Sequence, residues 1–125
     1  MSCAMRCAAL VLTLFAAPAS AQHDHDHPPG PNGGRIEDAG PWHAELVTRA
    51  ETVVVYLCDG AGKSLPVEGF KAVAILKSGA KVARIPLSPE GNRLTGKAES
   101  VLGDRPTGAV RITGPDGLTA SARFD

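Results

Sequence analysis

From Trp42 to the end of the chain, apolar residues fall at every second position in short runs, and turn-forming residues break those runs at close intervals. In Trp42 to Val47, Trp42, Ala44 and Leu46 take one side while His43, Glu45 and Val47 take the other. In Thr52 to Cys58, Val53, Val55 and Leu57 alternate with Val54, Tyr56 and Cys58. A period of two is the period of a pleated strand with one face buried. Asp59-Gly60-Ala61-Gly62-Lys63 turns the chain, Phe70 to Lys77 forms a third run, and Lys77-Ser78-Gly79-Ala80 leads into Lys81 to Leu87. Ser88 to Asn92 is a further turn, with a short strand through Leu94 and Gly96 behind it. The last pair is the clearest. Val110 and Ile112 alternate with polar neighbours, Pro115-Asp116-Gly117 makes the turn, and Leu118, Ala120, Ala122 and Phe124 alternate again. Asp-Gly between two alternating runs is a strong hairpin signal.

About seven short strands with turns every 8–12 residues is the pattern of an immunoglobulin-like sandwich. No stretch after residue 21 keeps the 3.6-residue period of an amphipathic helix. The expectation is an all-β, Ig-like antiparallel β-sandwich over residues 35–125, with a small closed barrel as its competitor.

Residues 1–21 have the anatomy of a cleavable export signal: Arg6, an apolar run from Cys7 to Ala17, Pro18, then Ala19-Ser20-Ala21. The apolar run is too short to span a bilayer. Cleavage after Ala21 implies a periplasmic protein with no membrane insertion once processed. It also removes Cys3 and Cys7, leaving Cys58 alone, so no internal disulfide can form and packing must hold the fold. Of the 13 basic residues only Arg6 is lost, against 13 acidic ones, so the processed chain is close to neutral. Nothing in that balance attracts nucleic acid.

Between signal and domain lies an arm, residues 22–34. It carries His23-Asp24-His25-Asp26-His27, then Pro28-Pro29-Gly30-Pro31-Asn32-Gly33-Gly34. The prolines and glycines suit neither a helix nor a central strand, so the expectation is a disordered arm. In an extended chain His23, His25 and His27 project to one side about 6.6 Å apart, and a slight curl lets neighbours share one ion. Imidazole suits copper, zinc and nickel, and near pH 7 most rings are neutral and able to donate. Asp24 and Asp26 add oxygen donors. If the processed chain begins at Gln22, a free amine, an amide and the His23 ring make a set that favours square-planar Cu(II). The alternative is a soluble tail with incidental affinity.

His43 and Glu45 share a strand face and either complete a site that the arm folds onto or form an exposed polar face. Cys58 reads as a small buried hydrophobe, with a Cu(I) thiolate or an intermolecular disulfide as alternatives. Neither a nucleophile elbow nor a phosphate loop is present, so an enzyme is not expected.

Pro31-Asn32-Gly33-Gly34-Arg35-Ile36, Ala39-Gly40-Pro41-Trp42-His43-Ala44-Glu45-Leu46-Val47, Val55-Tyr56-Leu57-Cys58-Asp59, Gly62-Lys63 and Gly91-Asn92-Arg93-Leu94-Thr95-Gly96 form one pattern. It resembles small exported proteobacterial proteins that are similar to the N-terminal β-domain of heavy-metal efflux adaptor subunits. The resemblance implies a periplasmic location, a link to a heavy-metal efflux system, and His43 and Glu45 as the polar residues of the motif. The functional expectation is capture, buffering or delivery of copper, zinc or nickel through His23, Asp24, His25, Asp26, His27, His43 and Glu45. The alternative is an envelope protein–protein interaction module.

Overall fold

Alternation becomes strand wherever the expectation put one, and once where it did not. The computed structural model describes residues 28–125. The expected export signal and the His-Asp repeat lie outside them. Eight strands run in chain order: β1 (Arg35–Ala39), β2 (Trp42–Arg49), β3 (Thr52–Cys58), β4 (Lys71–Ser78), β5 (Lys81–Glu90), β6 (Arg93–Lys97), β7 (Thr107–Thr113) and β8 (Thr119–Phe124). All pairings are antiparallel, in the order β1-β2-β3-β6-β5-β4-β7-β8.

The all-β antiparallel class is as expected. The division into two sheets and the count of about seven are corrected to one eight-stranded sheet that wraps into a nearly closed barrel. The cause is β5. Its first part, Lys81 to Leu87, pairs with β4, whereas Ser88 to Glu90 pairs with β6. One strand thus serves both halves of the sheet. Pro86 and Pro89 sit on either side of the changeover, and proline cannot donate to a ladder. They are tolerated because each part of β5 is bonded along a single edge, the edge-strand situation that accommodates proline.

Two kinds of tight turn recur along the chain. Gly40, Ala50, Gly79 and Gly91 each occupy the first central position of a two-residue connection with positive φ, as the right-handed twist of a tight hairpin requires. The second kind is a three-residue loop closed by a left-handed glycine. The Gly117 amide donates to Gly114 at 3.0 Å and the Gly114 amide to Leu118 at 2.8 Å. The Gly62 amide does the same to Asp59, and the Asp59 amide to Lys63. The third copy is Gly30-Pro31-Asn32-Gly33-Gly34: Gly33 donates to Gly30 at 2.9 Å, Gly30 donates to Gly34 at 2.9 Å, and Gly33 has φ +79°. This corrects the expectation of disorder through residue 34. From Gly30 onward the chain is part of the folded domain.

The inward faces meet in one core. Phe124, Leu76, Ile85, Leu94, Ile112, Val53, Val55 and Val110 are its largest fully buried members. Each contributes about 1.5–3 kcal/mol by leaving water. Trp42 packs edge-on against Phe70, ring centres 5.3 Å apart, at one margin of the core. The seam between β1 and β8 is closed by Arg35. Its Nη2 donates to the Pro106 carbonyl and its guanidinium lies 5.5 Å from the centre of the Phe124 ring. Burial, and then the neighbouring Arg105, lower the pKa of Arg35, with Glu37 partly opposing them.

Candidate functional site

β2 carries His43 and Glu45 on its outer face, as the alternation requires, but their surroundings differ. Glu45 is 3% exposed and is the only buried charged residue among those described. Both of its oxygens are engaged by the Gly30–Gly34 turn. Oε2 accepts from the Gly34 amide at 2.8 Å and the Asn32 amide at 3.0 Å, and Oε1 accepts from Asn32 Nδ2 at 2.9 Å. Gly30 lies directly over the carboxyl group, where an added Cβ would come to 2.3 Å from Cδ. Only glycine fits there. The turn is therefore a strap laid over the sheet, with Glu45 as its fastening.

The strap explains why a carboxylate survives burial. An unsatisfied buried acceptor is costly, whereas one ringed by N–H donors is stabilised. It also means that Glu45 is already occupied. A metal ion could use its oxygens only after the strap had opened.

His43 is partly exposed, and its Nε2 lies 2.9 Å from Asp38 Oδ1 on β1. Ala39-Gly40-Pro41-Trp42 is a two-residue hairpin connection, which sets Asp38 directly opposite His43. Asp38 is the residue that sequence reasoning passed over. The signal was the Gly-Pro pair: placing a two-residue turn there fixes the register and the partner. At 2.9 Å the pair is at ordinary hydrogen-bond separation.

Cys58 stands opposite His43 on the other side, on β3. Its Sγ is 3.8 Å from the His43 carbonyl oxygen, and it is a free, half-buried thiol. Burial pushes its pKa up, and the Asp59 and Glu45 carboxylates push it further. Such a thiol resists becoming the thiolate that binds metal. Asp38, His43 and Cys58 form one row across three strands. Among the described residues, however, no group of three or more His, Cys, Asp and Glu is arranged to hold an ion. Among the described residues, His43 and Asp38 form a close His–carboxylate pair. His23, Asp24, His25, Asp26 and His27 lie outside it.

No family model, no curated protein and no solved structure matches this chain. The likeness to efflux-adaptor domains rests on the quoted sequence stretches alone.

Proposed function

We propose that this is an exported, periplasmic metal-binding protein that captures a late first-row ion, Cu(II) above Zn(II) or Ni(II), and buffers it or passes it on. The observation that carries the reading is the His43–Asp38 donor pair, 2.9 Å apart, on the face that the strap crosses. Tether length supports it. Gly30 comes three residues after His27, a span of at most about 10 Å of backbone. His43 lies two residues along β2 from Glu45, about 6.6 Å away. On this reading the arm's imidazoles join that pair, and His27 and His25 supply the donors that the described residues lack. His23, Asp24 and Asp26 add capacity and offset the ion's charge. Glu45 serves by anchoring the tether rather than by binding. Exchange with a heavy-metal efflux system is the natural extension of this reading, and it rests on the sequence resemblance.

The test is a competitive titration of the processed protein with Cu(II), Zn(II) and Ni(II), repeated on His43→Ala and on a variant with His23, His25 and His27 replaced by alanine. The reading requires the arm variant to lose most affinity and His43→Ala to lose part of it. If the arm variant binds as tightly as the wild type, the reading fails.

A further inference from the structure

The strap does more than hold the arm. The outer face of a small barrel ordinarily lies open to water, yet Val54, which points outward from β3, is only 8% exposed. Val47 stands directly opposite it on β2, and the pair forms an apolar floor. Asn32 of the strap makes one wall of a cleft of about 350 Å3 over that floor. Tyr56, Arg49 and Arg93 make the rest, and Thr52 lies at the foot of Arg49. No acidic side chain lines the cleft. Arg93 pairs with Glu90 at 3.8 Å, and both side chains of that pair are open to solvent. Such an exposed pair is worth little and yields to a better partner.

A floor of two valines flanked by a phenol and two guanidinium groups selects for a particular chemistry. Planar guanidinium groups match the two oxygens of a carboxylate. The valine floor has no use for a ligand that is all charge, such as inorganic phosphate, but it favours a short hydrocarbon or ring beside the charge. The volume falls within the range of small-molecule sites. The larger cavity, at the β1–β8 seam, is less selective, because Glu37, Asp104 and Asp125 line it together with Arg35 and Arg105.

We propose that the cleft bounded by Asn32, Val47, Arg49, Val54, Tyr56 and Arg93 binds an organic carboxylate with a short apolar body, either a free acid or the carboxyl terminus of a peptide. The arginines hold the carboxylate while Val47 and Val54 take the apolar part. This is independent of metal binding.

The experiment is a titration of the isotope-labelled protein in metal-free buffer, followed by backbone amide shifts. The probes are hexanoate, its uncharged counterpart hexanamide, inorganic phosphate, and a short apolar peptide with a free or an amidated C-terminus. Saturable shifts at Val47, Val54 and Tyr56 with hexanoate or the free-ended peptide, and at least about tenfold weaker binding of hexanamide, are expected, since a hydrogen bond to a charged group is worth that much. Whichever of the two carboxylates binds more tightly identifies the source. Arg49→Gln, at an exposed position, and Arg93→Gln, at a half-buried one, both checked for folding by circular dichroism, should each weaken binding by a similar factor. The proposal is overturned if neither carboxylate saturates these shifts, if hexanamide or phosphate binds as well as hexanoate, or if both arginine variants bind unchanged.

Discussion

Replacing Glu45 with alanine removes the fastening of the strap. Three N–H donors lose their acceptor: the Asn32 amide, Asn32 Nδ2 and the Gly34 amide. Hydrogen bonds to a charged group are worth about 1.5–3 kcal/mol each, so three would sum to more than about 4 kcal/mol, yet the net loss is about 3 kcal/mol. It is not larger, because a released strap can give its donors to water. A small domain has only about 5–15 kcal/mol of stability in all, so the effect is easily read. With a urea m value of roughly 1.5 kcal/mol/M, the unfolding midpoint falls by about 2 M. Glu45→Gln keeps one acceptor oxygen, and the Asn32 side chain can turn so that its Oδ1 accepts from the new NH2 group, so its loss is nearer 1 kcal/mol. Hydrogen exchange locates the effect. In Glu45→Ala the Asn32 and Gly34 amides lose protection, while β4 and β7, deep in the sheet, keep theirs. Val54 becomes accessible at the same time. An alanine variant with an unchanged midpoint and protected strap amides would refute the fastening argument.

Two further outcomes follow from local geometry. Ala50 is the only non-glycine residue with positive φ among those described, at +52°; Ala50→Gly relieves that strain and should raise stability by about 1 kcal/mol, read as a higher urea midpoint. The Cys58 thiol, its pKa raised by burial and then by Asp59 and Glu45, should react with iodoacetamide more slowly at pH 8 than free cysteine, and its rate profile should have a midpoint above that of free cysteine. Because the folded value is the higher one, the associated stability is fully present below the unfolded thiol pKa and is lost as pH rises through the folded value. A midpoint at or below that of free cysteine would contradict the assigned environment.

The alternation of β2, β3, β7 and β8 is readable because one face of each is buried and the other is not. β1 is not readable in this way. Its inward side carries Arg35 and Glu37, and Arg35 is accommodated by the Pro106 carbonyl and the Phe124 ring, both more than seventy residues away in sequence. No local pattern announces such partners. Glu45 was legible as a polar residue on a strand face but not as a fastening, because its donors lie 11 and 13 residues upstream. One clue was present. Gly30-Pro31-Asn32-Gly33 nearly repeats Gly114-Pro115-Asp116-Gly117, the turn between β7 and β8. The sharing of β5 between two partners is encoded only in Pro86 and Pro89, which mark a strand bonded along one edge at a time without naming which edge.

The claim on which the functional account turns is that imidazoles of the arm and the His43–Asp38 pair hold one ion together. Its most direct measurement is the spectrum of the processed protein loaded with one equivalent of Cu(II), compared between wild type and His43→Ala. The account predicts a single nitrogen-rich, square-planar signal that changes in the variant, together with a weaker affinity. An identical signal and affinity in both proteins would contradict it, because the ion would then sit on the arm without touching the sheet.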